Sequence, residues 1–483
     1  MTQADKTAPY SQRKRHILEL ANRLGPERDR WIDRNRFYYE DDARYLRFLI
    51  PEGSRVLDLG CGTGRLLASL NPSQGVGVDF SDTMVAEARE RHPGLDFRVS
   101  DIEAPGAFDH LDGPFDYIVL SDTVGSLEDV QGTLERLHGL CNSETRLVIA
   151  YFSSLWAPVL RVAQLLGQHM PQVEQNWLSG RDLADILELA AFDTVRVDAR
   201  QIVPKRMAGM GAWMNRHVGT LPGLRAAALR TYVVARSLRA VPRARPSASV
   251  VIPCRNEAGN VEAAATRIPD FCDDIEILFV EGHSRDETLK TIECTIAEHP
   301  ERDIKLIQQD GIGKGDAVRK GFELARGEIL MILDADLTTP PEDLPKFYDA
   351  VVSGNGELII GTRLVYPMEA GAMRILNVFG NKVFSVLFSW LLNQRITDTL
   401  CGTKVLSRHN YDQIRRGRPY FGDFDPFGDF DLIFGAAKLN LKIVQVPVRY
   451  RAREYGQTQI SRFRHGWLLV RMVLVAYRRL KAI

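Results

Sequence analysis

VLDLGCGTGRLL, residues 56–67, decides how the first half of the chain is read. An apolar strand, RVLDLG (55–60), runs straight into Gly60, Gly62 and Gly64, and a helical pattern follows. Glycines at such a point let the backbone take φ > 0 and bring a loop close to a ligand. The helix behind them offers backbone N–H groups and the positive end of its dipole. The turn is therefore of the nucleotide-cofactor type. It is not the dinucleotide fingerprint G-x-G-x-x-G, because position 65 is Arg and the third glycine comes one residue early. A tight strand–helix turn with no ligand would use the same glycines, so the flanking strands have to decide.

Working outward, GVGVDF (75–80), LDFRVSD (95–101), FDYIVLSD (115–122) and RLVIAYF (146–152) read as further buried strands. TVRVDARQIV (194–203) and TYVVARSL (231–238) follow later, and helical patterns such as SDTMVAEARERH (81–92) separate the early ones. Alternating strands and helices predict a mostly parallel sheet covered on both faces. Asp79 ends the second strand, where a carboxylate can accept hydrogen bonds from both ribose hydroxyls. Asp101 ends the third strand, placed to meet an adenine amino group. Either Asp alone is as well explained as a helix N-cap. Three successive strand ends carrying such groups form the stronger pattern.

These segments resemble the class I S-adenosylmethionine-dependent methyltransferases. VLDLGCGTG matches their glycine motif, GVDFSDTMVAEAR their second-strand acidic motif and FDYIVLSD their fourth-strand motif, over residues 30–240. The resemblance implies a seven-stranded, Rossmann-like sheet with one antiparallel strand and a cofactor, S-adenosyl-L-methionine, across the strand C-termini. It implies cofactor contacts at Gly60, Gly62, Gly64, Asp79, Phe80, Asp101, Ile102 and Ser121. Methyl transfer from a sulfonium needs alignment and deprotonation of the acceptor. Asp122 and His138 lie near the expected site, but surface or capping roles account for each better than catalysis.

RAVPRARPSAS (239–249) reads as an interdomain connection, with two prolines, several arginines and small residues. The expected organisation is a lead at 1–29, a first domain at 30–240, a linker at 241–248 and a second α/β domain at 249–483. The second domain shows strands at SVVIPC (249–254), IEILFVEG (275–282), DIKLIQQD (303–310), EILMILDAD (328–336) and GELIIGTR (356–363). Asp334 and Asp336 follow the apolar run ILMIL. Strand side chains alternate, so residues two apart point the same way. Two carboxylates converging there make a hard-cation site for Mg²⁺ or Mn²⁺, able to bridge the phosphates of a nucleotide diphosphate. Solvated loop carboxylates are the plain alternative.

SVVIPCRNEAGNVEAA (249–264), FVEGHSRDET (279–288) and GIGKGDAVRKGFELARGEILMILDADL (311–337) resemble family 2 glycosyltransferases. The resemblance covers about residues 248–483. It implies a GT-A fold that binds a nucleotide diphosphate sugar and inverts the anomeric carbon. Implied donor contacts are Pro253, Asn256, Glu257, Glu281, Lys314 and Asp334, with metal at Asp334 and Asp336. GTRLVYP (361–367), TDTLCGTKVLSR (397–408) and RAREYGQTQISRFRHGW (451–467) look like the dolichyl- or polyprenyl-phosphate hexose synthases. On that likeness Arg363, Arg453, Gly456 and Thr458 handle phosphates and Asp398 lies on the acceptor side. Two departures stand out. Glu281-Gly282-His283-Ser284 replaces the usual D-D-G-S, and Gln459 replaces a lysine. Lys404, Arg462 and Arg464 are nearby cations, expected to be solvated. FGDFDPFGDFDL (421–432) is expected either to cap the next helix or to cover the acceptor site.

Composition limits the rest. Lys+Arg and Asp+Glu are 62 each in 483 residues, which leaves no basic excess for a nucleic acid. The six cysteines form no C-x-x-C pair and are expected as reduced thiols in a cytoplasmic protein. The first twenty residues lack the apolar core of a signal peptide. No run of about 18 apolar residues occurs. The segments 373–392 and 466–483 mix apolar and basic residues, which suits interface helices and core helices equally. The expectation is a bifunctional enzyme, peripheral on the inner membrane face. It would transfer a hexose to a polyprenyl phosphate, and its methyltransferase would act in the same pathway. An acceptor phosphate is already anionic and needs no strong base. A soluble hydroxyl acceptor would need one, Asp398 being the first candidate, and the first domain would then be a cofactor-binding scaffold or sensor.

Overall fold

The first seven strands are β1 (Arg55–Leu59), β2 (Gln74–Asp79), β3 (Asp96–Val99), β4 (Tyr117–Ser121), β5 (Arg146–Phe152), β6 (Phe192–Arg200) and β7 (Arg230–Ser237). In this computed structural model, which describes residues 10–241, 244–366, 375–422, 430–453, 455 and 462–483, they form one sheet in the order β3-β2-β1-β4-β5-β7-β6. β7 alone runs antiparallel to its neighbours β5 and β6. Every residue of β5, and all but the last of β4, is buried. That is why these strands read as continuous apolar runs rather than as alternating ones. β1 lies between β2 and β4, so the chain departs from it in both directions across the sheet. In open α/β sheets such a switch point leaves a crevice at the strand C-termini.

The second sheet contains β8 (Ala248–Cys254), β9 (Ile275–Glu281), β10 (Asp303–Gln308), β11 (Ile329–Ile332), β12 (Leu358–Thr362), β13 (Lys404–Ser407) and β14 (Ile443–Pro447). Its order is β10-β9-β8-β11-β13-β12-β14, with β13 antiparallel to both β11 and β12. β8 is the switch strand, between β9 and β11. The sequence reading passed over β13 and β14. β13 has only four residues inside a motif-rich stretch, and β14 is an edge strand that ends on a proline. Leu330, Met331, Ile332 and Leu333 are all fully buried. Each such side chain contributes roughly 1.5–3 kcal/mol on leaving water. The run stops where the first carboxylate, Asp334, would become too costly to bury, and the acidic pair emerges at the strand tip.

The chain divides into two compact units, Met1–Val241 with Ala482–Ile483 and Pro242–Lys481. The 373–392 segment forms the helix Ile375–Leu392, and the last segment forms the helix Arg462–Ala476 with a further helical turn, Tyr477–Lys481. Among the described residues no helix is long and apolar enough to cross a membrane. All six cysteines are unpaired thiols.

Candidate functional site

At the C-terminal edge of the first sheet a crevice of about 1200 Å³ opens between the strand tips and the helix Gln12–Leu24. Gly60, Gly62, Asp79, Phe80, Asp101, Ile102 and Ser121 all line it. Gly64 does not. It starts the helix Arg65–Ser69 at φ 73° and packs on Phe97, so the expected cofactor contact becomes a packing position. Gly60 sits at φ 79°, where a Cβ would come within 2.4 Å of the Thr123 hydroxyl, so only glycine fits. Asp79 accepts hydrogen bonds from the N–H of Gly62 and of Ser81, both at 2.9 Å, and so ties the glycine turn to the next loop. Burial pushes its carboxyl up, against those two N–H donors.

The lead helix supplies contacts that the strand-tip reading missed. The Lys14 ammonium bridges Asp101 at 2.7 Å and Glu103 at 2.8 Å across the crevice wall. Ile17, Leu20 and Leu24 line the same wall. Asp122, at φ 60°, faces the crevice and pairs with the fully buried Arg230. Arg230 also donates to Asp42 at 3.0 Å and to the Ser121 hydroxyl at 3.2 Å. His138 lies elsewhere. Its ring nitrogens are 2.7 Å from the Ser237 hydroxyl and from the Ala190 carbonyl, and it stacks on Phe192.

At the C-terminal edge of the second sheet a larger crevice, about 1780 Å³, collects Pro253, Glu257, Lys314, Asp334, Asp336, Arg363 and Arg453. Lys314 donates to Asp334 at 2.5 Å. Arg453 bridges Asp336 at 2.5 Å and Glu257 at 3.1 Å. Burial pushes the Asp334 carboxyl up, but the charges of Lys314, Lys404 and Arg363 overbalance it and hold the group below its usual range. Lys404 is a correction: it is fully buried, donating to the Cys401 carbonyl at 2.7 Å, not solvated. Gly402, in the loop just before β13, brings the backbone close to Asp334, since a Cβ there would lie 2.0 Å from Asp334 Oδ2.

Three expected residues stand behind this crevice instead of in its lining. Asn256 staples the first loop, accepting from Arg285 N–H at 2.8 Å. Glu281 accepts from Ser284 N–H at 2.5 Å. Asp398 is wholly buried beneath Arg363, accepting from its Nε at 2.7 Å and its Nη2 at 2.9 Å, and from Asn381 Nδ2 at 2.8 Å. Burial opposes its charge, yet Arg363 and Asn381 hold the carboxyl below its ordinary value. A low-pKa carboxylate with both oxygens engaged is a poor proton acceptor, so Asp398 orients Arg363 and does not act as the base considered above. Gly456, Thr458, Gln459 and the acidic loop residues Asp423, Asp425 and Asp429 lie outside the described residues, as do the side chains of Arg462 and Arg464. Asp431, from the same acidic stretch, pairs with Arg418 at 2.9 Å.

Residues 31–197 match the family described as methyltransferase domain, and residues 249–415 match glycosyl transferase family 2. The chain joins a methyltransferase domain to a family 2 glycosyltransferase domain. The low-salt glycan biosynthesis hexosyltransferase Agl6 of Haloferax volcanii is 29% identical over 234 residues, 48% of this chain and 54% of that protein. The dolichyl-phosphate beta-glucosyltransferase of Dictyostelium discoideum is 26% identical over 229 residues, 42% of this chain and 65% of that protein. This chain thus spans a little over half to just under two thirds of the length of these relatives. A solved Thermotoga maritima structure, titled a SAM-dependent methyltransferase, covers 46% of this chain and 99% of its own at 18% identity and a TM-score of 0.37.

In the methyltransferase domain, Asp58 of β1 was missed because a lone acid inside an apolar strand carries no spacing signal. It is 2% exposed, and its Oδ2 has no hydrogen-bond partner among the described residues. It borders a second recess that shares Gly60, Ser121 and Asp122 with the main crevice. Burial, then the neighbouring Asp79 charge, push its carboxyl up to about 7. A buried carboxylate with one oxygen unbonded, next to a glycine turn, suits an ammonium group, such as the amino-acid end of S-adenosylmethionine. A carboxyl raised in the folded state lends stability below its unfolded pKa, and that stability is lost as pH rises through about 7. Without cofactor, the gain in melting temperature of Asp58→Asn over the parent should therefore grow as pH rises from about 4 to about 7 and level off above that, being several degrees larger at pH 8 than at pH 4. Parallel thermal melts across that range check this.

Asp398→Asn should leave the glycosyltransferase domain folded but loosen Arg363. Nucleotide diphosphate binding, measured by calorimetry, should weaken by about tenfold, as expected for losing one charge-assisted hydrogen-bonded pair.

Proposed function

We propose that the glycosyltransferase domain transfers a hexose from a nucleotide diphosphate sugar to the phosphate of a polyprenyl phosphate. We further propose that the methyltransferase domain moves a methyl group from S-adenosylmethionine to an acceptor of the same pathway. The observation that carries the first reading is the clustering of Asp334 and Asp336 with Lys314, Arg363 and Arg453 in one crevice. Two carboxylates at a strand tip are an all-oxygen donor set that suits Mg²⁺ or Mn²⁺. Such an ion neutralises the departing nucleotide diphosphate. Lys314 and Arg453 now balance the carboxylates, and an incoming diphosphate gives them anionic oxygens to turn to. Arg363 is locked by Asp398 with its fork set for a phosphate.

A phosphate acceptor also suits a site whose candidate base, among the described residues, is engaged elsewhere. With Asp398 committed to Arg363, the site relies on positioning and charge, which is enough for a nucleophile already anionic near neutral pH. Leu400, Phe430 and Leu469 add an apolar wall to the crevice. Val383 and Val386 on one helix, and Trp467, Val470 and Leu474 on another, stay exposed, which suits a lipid-bearing acceptor. The Dictyostelium relative, a dolichyl-phosphate beta-glucosyltransferase by name, points the same way.

On the methyltransferase side, Asp79, Phe80, Asp101 and Ile102 would hold the nucleoside, and Asp58 with the Gly60–Gly62 turn the amino-acid end. When bound, the cofactor supplies an electrophilic methyl group. Lys14 and Arg230 keep the surrounding carboxylates balanced, and the apolar face of the lead helix excludes water.

The test is a screen of labelled nucleotide sugars with a short prenyl phosphate under Mg²⁺ and Mn²⁺. Label should pass into an organic-soluble, acid-labile product. Label that stays aqueous with every donor would count against the lipid acceptor. Asp336→Asn should lower metal-dependent turnover by at least about a hundredfold, as expected when a leaving-group contact is lost. Undiminished turnover would remove the metal assignment. For the other domain, Asp79→Asn should weaken equilibrium binding of S-adenosylmethionine, and incubating cell extract with labelled methyl donor should reveal a methylated product.

A further inference from the structure

The methyltransferase domain exposes a surface that its own chemistry does not use. The helix Ala157–Leu165 buries none of its residues. Leu155, Val159, Val162, Leu165 and Leu166 are each between 52% and 87% exposed along it. A second segment, inserted between β6 and β7, exposes Met207, Met210, Trp213 and Leu224 at 50–58%. Three hydrogen bonds keep the two segments side by side. Trp156 Nε1 donates to the Ala227 carbonyl at 2.9 Å, Asn35 Nδ2 to the Gln168 carbonyl at 3.2 Å, and Lys205 Nζ to Asn35 Oδ1 at 3.2 Å. Monomeric soluble proteins rarely leave so many large apolar side chains together without a partner.

The charge pattern says what the partner is. Residues 153–173 and 201–229 contain no Asp or Glu, although the whole chain has one in about every eight residues. The same segments carry Arg161, Lys205, Arg206, Arg216 and Arg225. Asn215 of the second segment donates to Asp41, which also pairs with Arg44. A face that combines protruding Leu, Met and Trp with five basic groups, against one exposed carboxylate, Glu174, in the lining of the adjoining groove, is complementary to an anionic lipid surface: the apolar side chains enter the acyl boundary and the cations meet headgroups. A protein partner of matching chemistry would have to be acidic and apolar together.

We infer that this face of the methyltransferase domain docks on an anionic lipid bilayer. The groove beside the helix Ala157–Leu165 shares Gln172, Val173 and Gln175 with the cofactor crevice, so docking sets the crevice mouth against the lipid. The methyl acceptor is then a molecule carried in that membrane. This last consequence rests on reading the domain as a methyltransferase; the docking itself does not.

The experiment is hydrogen exchange of the full chain with phosphatidylcholine vesicles, with and without phosphatidylglycerol. Protection at 155–166 and 205–225 is expected only with the anionic vesicles. Arg161→Gln and Arg206→Gln should each weaken vesicle binding by about fivefold, the equivalent of one surface cation. Val162→Glu combined with Leu165→Glu should abolish the protection at 155–166. All these variants should melt as the parent does and bind S-adenosylmethionine equally, since none of these four side chains lines the crevice. Protection confined to the glycosyltransferase helices, or equal protection without vesicles as protein concentration rises, would overturn the inference. So would binding to neutral vesicles of the same strength. None of these readings depends on catalysis, so a failed methyl or sugar transfer assay would leave them intact.

Discussion

A carboxylate at the tip of a buried strand has to be balanced, and both crevices are organised around that requirement. Asp122 is balanced by Arg230, Asp101 by Lys14, Asp334 by Lys314 and Asp336 by Arg453. Removing one partner from such a pair leaves the other uncompensated, most severely for the fully buried Arg230. Ligand binding at these sites is therefore an exchange of partners rather than the filling of a neutral hole. Asp79 and Asp58 are exceptions: Asp79 is held by two backbone N–H donors, the Asp58 Oδ2 lacks a hydrogen-bond partner among the described residues, and burial raises both carboxyls.

The same logic separates residues that face a ligand from residues that hold them. Arg363 faces the second crevice, while Asp398 lies under it and is itself held by Asn381 of the helix Ile375–Leu392. Asn381 also accepts from the N–H and hydroxyl of Thr399, at 3.2 and 3.1 Å. The orientation of the phosphate-facing arginine is thus tied to a helix whose Val383 and Val386 are exposed. Arg230 plays the matching part in the first crevice, where one guanidinium braces Asp42, Asp122 and Ser121 together.

Much of this architecture was legible along the chain. Apolar runs buried on both faces mark β1, β4, β5, β8 and β11 directly, and the glycine turn and the acidic pair stand at the ends of two of them. β13 and β14 were not legible, because a four-residue strand and a half-exposed edge strand carry too little periodicity. Lys404 looked like a surface cation and is buried beside the acidic pair, since its neighbours in space come from other strands.

By itself, the order of residues determined two parallel-sheet units, the strand ends that carry chemistry, and the kinds of ligand those ends suit. Those properties are local: a strand's burial and the residue at its tip are written in consecutive positions. Only the tertiary structure decided that Gly64 packs on Phe97 away from the crevice, that Asp398 supports Arg363 from beneath, that the lead helix closes the first crevice with Lys14, and that one oxygen of Asp58 has no partner among the described residues. Each of these depends on which groups from distant segments come within hydrogen-bond reach, and on how much water is left around them. Spacing along the chain does not encode that.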